Sequence, residues 1–226
     1  MRTFAIIPAA GKGKRSGLSI PKQYLKFNNK ELIVYTLEVF QKNKSVDEII
    51  IAAHPDYFGF LGKIKKKYKL TKISKIVKGG KERQESVYNA LLSIDADQND
   101  LVAVHDAARP LLPQKILTDA ILTARKKGNA LVCIKAKDTL VKGTDIVHTY
   151  IDRENIFYVQ TPQVFRYKDL MRGMEMAHAT DFYATDESML IQNLGLKVNI
   201  VNGSLSNFKV TTEDDIKFLR NYIKSK

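Results

Sequence analysis

Short apolar runs alternate with longer amphipathic stretches through residues 4–136. Residues 4–8 are apolar and stop at Pro8, residues 47–53 carry Ile49, Ile50 and Ile51 in succession, and residues 73–77, 101–105 and 130–136 read as further strands. Short, continuously apolar runs suit strands of a parallel sheet buried on both faces. Residues 31–43 instead space Leu32, Val34, Tyr35, Leu37, Val39 and Phe40 at helical intervals, and residues 56–68, 82–93 and 113–127 also read as helices. Repeated β-α units predict an α/β fold, Rossmann-like, with a mostly parallel central sheet and helices on both faces. Ligands of such sheets sit beyond the carboxyl ends of the strands.

The rhythm breaks at residue 137. Residues 137–162 alternate polar and apolar side chains around a turn at Gly143-Thr144-Asp145. That pattern predicts an antiparallel hairpin rather than a βα unit. We expect a single domain over 1–226 with a protruding β-arm, 137–160, inserted in it. A hairpin thrown out of an α/β domain exposes edges that a second subunit commonly covers, so the arm is expected to dimerise. Thr139 and Arg153 fall one on each side of it. Residues 167–179, 187–194 and 213–224 read as helices, with Asp186 as an N-cap, and 197–202 and 207–211 as late strands. Lys209 would then lie in a strand between Phe208 and Val210, where a lysine needs an anion or an exit to water.

Composition narrows the classes. The 226 residues suffice for a substantial core without disulfides or structural metals. A net charge of +13 favours anionic ligands. Eight lysines crowd residues 63–78 without an acid, but only Tyr68 lies among them and aromatics do not interleave as a series of stacking platforms, so a nucleic-acid-binding module is the weaker reading. The single cysteine, Cys133, lies in an apolar run and reads as core. The apolar stretch 4–10 is too short for a signal peptide, and nothing approaches the roughly 18 apolar residues of a membrane span, so we expect a cytoplasmic protein. The four histidines lack metal-ligand spacing and no nucleophile–His–acid set is evident, which argues against zinc and hydrolase chemistry.

Candidate chemistry gathers at three strand ends. After residues 4–8 come Ala9, Ala10, Gly11, Gly13 and Gly17 with Lys12, Lys14, Arg15 and Lys22, and no acid occurs before residue 31. Small residues let backbone N–H groups converge on an anion, and the cations add charge, which describes a phosphate-binding loop. Its spacing matches neither the dinucleotide fingerprint nor the Walker loop. After the third strand, Gly79 and Gly80 permit close backbone approach and Ser86 can hydrogen-bond from a helix start. After the fourth, Asp106 can hold Mg²⁺ or a ribose hydroxyl and Arg109 can fork onto a phosphate; a structural Asp–Arg ion pair is the alternative.

Taken in order, PAAGKGKRSGLSIPKQYL, GGKERQESV, VHDAARPL, KDTL, IDRENIFYVQTPQVF, TDES and NFKVTTEDD resemble the 2-C-methyl-D-erythritol 4-phosphate cytidylyltransferases over essentially the whole chain. The resemblance implies transfer of CMP from CTP to that polyol phosphate, with Mg²⁺ as cofactor. It implies that Ala9, Ala10, Gly11 and Gly13 line the CTP site, that Gly80 and Ser86 recognise cytosine, and that Asp106 lies by the ribose and Mg²⁺. Arg15 and Lys22 would bind the triphosphate, and Arg109, Thr139, Arg153, Thr161 and Lys209 would hold the second substrate. Arg15, Lys22, Arg153 and Lys209 would carry catalysis. It further implies a homodimer in which Thr139 and Arg153 serve the neighbouring site. The chain departs from the family pattern at Ser16, Lys81 and Ser206. A sister activity on ribitol or ribulose 5-phosphate shares HDAARP, but residues 149–163 resemble the isoprenoid enzyme.

Overall fold

In the computed structural model, which describes residues 1–11 and 20–225, the apolar runs become a seven-stranded sheet. In chain order its strands are β1 (Thr3–Pro8), β2 (Glu48–Ala53), β3 (Ile73–Lys78), β4 (Leu101–Val104), β5 (Asn129–Lys135), β8 (Phe157–Arg166) and β9 (Ile200–Asn202). A separate hairpin, β6 (Leu140–Gly143) and β7 (Val147–Ile151), comes between β5 and β8. The spatial order is β9-β5-β8-β4-β1-β2-β3. β1 runs parallel to both β2 and β4, and β2 to β3, so their carboxyl ends share one edge.

Two apolar cores flank the sheet because alternate side chains of each strand face opposite ways. Ala5, Ile7, Ile49 and Ile51 pack against α1 (Leu32–Lys42), α2 (Phe58–Lys67) and α4 (Gln114–Lys127). Phe4, Ile6, Ile50 and Ala52 pack against α3 (Arg83–Leu92), α5 (Tyr167–Ala179) and α6 (Glu187–Asn193). Each fully buried Ile or Phe contributes about 1.5–3 kcal/mol by leaving water. The last helix, α7 (Glu213–Lys224), starts at a capping box between Thr212 and Asp215 and buries Ile216 and Leu219 against Phe27, Leu32 and Val210. α4 ends at Gly128, whose φ of +93° suits a residue without Cβ. Cys133 is buried in β5, and burial pushes its thiol up to about 11.

Four expectations change. The hairpin is confined to β6 and β7, and from Phe157 the chain joins the main sheet, antiparallel to β4 and β5. The misleading polar residues, Gln160, Thr161 and Gln163, are buried there by specific hydrogen bonds. Residues 207–211 form no strand; they run past Ala108, whose carbonyl accepts from the N–H of Val210 (2.9 Å). Of residues 197–202, only Ile200–Asn202 pairs with the sheet. The helix expected from residue 56 begins as a 3₁₀ turn, Pro55–Tyr57, before α2.

Candidate active site

The chain turns away from β1, β3 and β4 on the same sheet edge. Ala9 N–H donates to Ala52 (2.7 Å), Gly79 N–H to Ala53 (2.9 Å) and His105 N–H to Ile6 (3.0 Å), which ties each departing segment to a neighbouring strand. Between them opens a cleft of about 440 Å³. Ala9, Ala10, Gly11, Lys22, Gly80, Ser86, Asp106 and Lys209 line it, together with Lys81, Glu82, Arg83 and Gln23. Arg15 and Gly13 lie outside the described residues.

The two ends of the loop after β1 are pinned. Gln23 Nε2 donates to the carbonyls of Ala9 (2.8 Å) and Gly11 (2.9 Å), and Tyr24 OH donates to Ala9 (3.2 Å). Opposite, Ser86 Oγ accepts from Gly80 N–H and donates to the Glu82 carbonyl, each at 3.0 Å. Its hydroxyl therefore shapes the loop before any ligand arrives. The paired glycines serve approach between loops. A Cβ at Gly79 would lie 2.4 Å from Ala10 Cβ, and one at Gly80 would lie 2.2 Å from Glu85 Cβ.

Asp106, 7% exposed, is the electrostatic centre of the cleft floor. Its Oδ1 meets Arg83 Nε (3.1 Å), and its Oδ2 meets Arg109 Nε (3.2 Å) and Lys209 Nζ (3.1 Å). Burial would raise its pKa, but Arg83, Lys209 and Arg109 together outweigh burial and hold the carboxyl far below the usual range. The Asp106–Arg109 ion pair named as the alternative to ligand binding is thus present. Arg109 also donates from Nη1 to the Asn207 carbonyl (2.8 Å). Arg83 Nη1 reaches Glu187 Oε1 at 2.6 Å. Burial of Glu187 raises its pKa against the pull of Arg83, while for Arg83 the two acids outweigh burial and raise its own.

A second chain of bonds fixes the backbone at Asp106. His105 Nε2 lies 3.1 Å from the Arg109 carbonyl, which can only accept, so Nε2 carries the proton. Nδ1 then accepts from Thr161 Oγ1 (2.9 Å), which in turn accepts from Asp106 N–H (3.2 Å). Every member is satisfied with a neutral imidazole, and burial pushes His105 down to about 4. Thr161, expected on the substrate, is itself 4% exposed and occupied in this relay.

Thr139 and Arg153 do not line the cleft of their own chain. Both are exposed, and Arg153 Nη1 donates to the Lys137 carbonyl. The arm beside them displays Ile146 at 70% and Tyr150 at 73% exposure. Gln23, Arg83 and Glu187 were not foreseen. Arg83 and Glu187 stand in the quoted GGKERQESV and TDES segments, but nothing local joins two residues 104 apart.

The family model for 2-C-methyl-D-erythritol 4-phosphate cytidylyltransferase, IspD, matches residues 3–225. The chain belongs to the IspD family. A relative of that description from Geobacter metallireducens is 40% identical over 230 residues, covering 100% of this chain and 99% of its own. One from Clostridium botulinum is 42% identical over 218 residues, covering 95% and 94%. Among solved structures, 4-diphosphocytidyl-2C-methyl-D-erythritol synthase from Anaerococcus prevotii superposes with a TM-score of 0.86 at 30% identity, covering 99% of this chain and 96% of that one. IspD from Francisella tularensis gives 0.82 at 32% identity, covering 98% and 99%. The chain is thus an IspD-type enzyme with a cleft at the strand ends.

Proposed function

We propose that this chain transfers CMP from CTP to 2-C-methyl-D-erythritol 4-phosphate in the cleft around Asp106. The observation that carries this reading is the convergence of Lys22, Arg83, Asp106 and Lys209 with the small residues 9–11 and Gly80 around one cavity. An oxygen of the substrate phosphate attacks the α-phosphorus of CTP. A new P–O bond forms while the bond to the β-phosphate's bridging oxygen breaks, and its electron pair leaves on pyrophosphate. A phosphate oxygen is already ionised at neutral pH, so the step needs no general base.

What the step needs is two anions held close and charge relief at the crowded phosphorus. Lys22 and Arg15 would bind the triphosphate and stabilise the transition state. Ala9, Ala10, Gly11, Gly13 and Gly80 would offer backbone to the nucleotide, with Ser86 holding the base-side loop. Lys209 and Arg109 would receive the attacking phosphate, Lys209 exchanging part of its contact with Asp106 for the ligand. Thr161 acts one step back, holding Asp106. Thr139 and Arg153 would come from the arm of a second subunit, which fits their absence from their own chain's cleft.

The donor set does not fit a metal cage built by the chain. Among the described residues no three Asp, Glu, His or Cys converge, and Asp106 is already shared by three cations. Mg²⁺ in this reading belongs to the triphosphate's own oxygens. Among the described residues no helix is long and apolar enough to cross a membrane.

The test is pyrophosphate release from CTP with methylerythritol phosphate and ribitol 5-phosphate side by side. Turnover strongly favouring methylerythritol phosphate is expected. Preference for ribitol phosphate, or none with either, would end this reading.

A further inference from the structure

Two successive side chains at the start of α3 grip residues 182–187. Gln84 Nε2 donates to the Phe182 carbonyl (3.1 Å), and Gln84 Oε1 accepts from Ala184 N–H (2.8 Å). Arg83 Nη1 donates to Glu187 Oε1 (2.6 Å). The residues on either side of Glu187 are held as well. Asp186 caps α6 by accepting from Met189 N–H (3.2 Å), and Ser188 N–H donates to Gln163 Oε1 of β8 (3.0 Å). A line of charges, Glu187–Arg83–Asp106–Lys209, therefore runs from beneath α6 to the cleft wall.

A carboxylate with 1% exposure is costly to bury unless it is well paired. Glu187 spends one oxygen on Arg83, and its Oε2 has no hydrogen-bond partner among the described residues. Helix capping does not need it, because Asp186 does that. Its bond to Arg83 has a use, however. Asp106 already faces three cations, and without the charge on Glu187 it would be the nearest anion for all of them. Arg83 lines the cleft, so a guanidinium no longer held from behind would lose its fixed place beside Gly80, Glu82 and Ser86 at the nucleotide end.

We propose that Glu187 is a positioning residue for the nucleotide end of the cleft, acting through Arg83, which it aims at Asp106. This inference rests on the cytidylyltransferase reading. Arg83 stands beside Gly80, Lys81, Glu82 and Ser86, so the effect should fall on CTP and spare the second substrate.

The experiment measures CTP binding by titration calorimetry and both Michaelis constants by steady-state kinetics, for wild type, Glu187→Gln, Arg83→Lys and the double variant. For Glu187→Gln, CTP affinity should fall roughly tenfold or more while the KM for methylerythritol phosphate moves less than about twofold, the first being the scale of a lost hydrogen bond to a charged group. The double variant should be little worse than the poorer single, because both remove one contact. An unchanged CTP affinity in folded Glu187→Gln overturns the proposal, and so does a parallel loss in both substrates. If Glu187→Gln does not fold, Arg83→Lys carries the same expectation and the same refutation. Wild type that binds CTP but does not turn over methylerythritol phosphate sinks the substrate reading while leaving the binding comparison decisive; wild type that binds no CTP sinks both.

Discussion

Asp106 touches cations from α3, from the segment after β4 and from the segment before α7, whereas Arg153 on the arm donates to the carbonyl of Lys137, sixteen residues away in its own neighbourhood. At the strand ends, side chains more than a hundred residues apart are held within hydrogen-bond reach before a ligand enters. On the arm, Thr139, Arg153 and a row of apolar side chains face water. The strand-end half is preorganised by its own chain. The arm half has no such frame of its own, as the proposed delivery of Thr139 and Arg153 to a second subunit requires.

The comparison can be broken at its strongest point. Asp106→Asn leaves three cations around a neutral amide, and it should lower unfolding free energy by about 3 kcal/mol, the cost of removing one partner of a buried ion pair. Chemical denaturation measures it; a loss below about 1 kcal/mol would mean that the cations are already satisfied by water. Lys22→Ala should leave the fold intact and cut turnover by at least about two orders of magnitude, as losing one preorganised electrostatic contact does. A near-normal rate would remove Lys22 from the transition state.

The relay behind Asp106 predicts a pH effect. His105 is lowered from 6.5 to about 4 in the folded chain. Below 6.5 the unfolded chain takes up a proton that the folded chain refuses, so stability present above that pH is lost as pH falls toward 4, by about 1.4 kcal/mol per unit. Unfolding curves at a series of pH values should show this slope, and His105→Asn should flatten it. An unaltered slope would place the titration elsewhere. The smallest change in stability belongs to the arm. Arg153→Ala should shift unfolding by less than about 0.5 kcal/mol, as surface substitutions do, yet impair turnover. Mixing inactive Lys22→Ala and Arg153→Ala chains should then recover activity in hybrid dimers. No recovery after demonstrated subunit exchange would return both residues to a single chain.

The same contrast explains what was legible before the structure. β1, β2 and β4 were readable because burial on both faces demands uninterrupted apolar runs, and α5 and α7 because their apolar spacing is helical. β8 was hidden because Gln160, Thr161 and Gln163 occupy buried positions that hydrogen bonds make tolerable, so a central strand looked like the return arm of a hairpin. Residues 207–211 have a strand's composition but, among the described residues, only one backbone bond to the chain beside them, Val210 to Ala108. The cleft's small residues and Lys22 announced themselves by composition. Arg83 and Glu187 did not, since a charge paired across the fold is indistinguishable, in one dimension, from a charge facing water.

The contact between Gly79 and Ala10 reaches into the chain's possible histories. A methyl group added at 79 would collide with the one at 10, and Ser86 Oγ stands next in line at 3.0 Å. Bulk can therefore be gained on one loop only after it is surrendered on the other, in that order. The spacing of these two loops is gauged by a single carbon, and two positions sixty-nine residues apart limit each other's size.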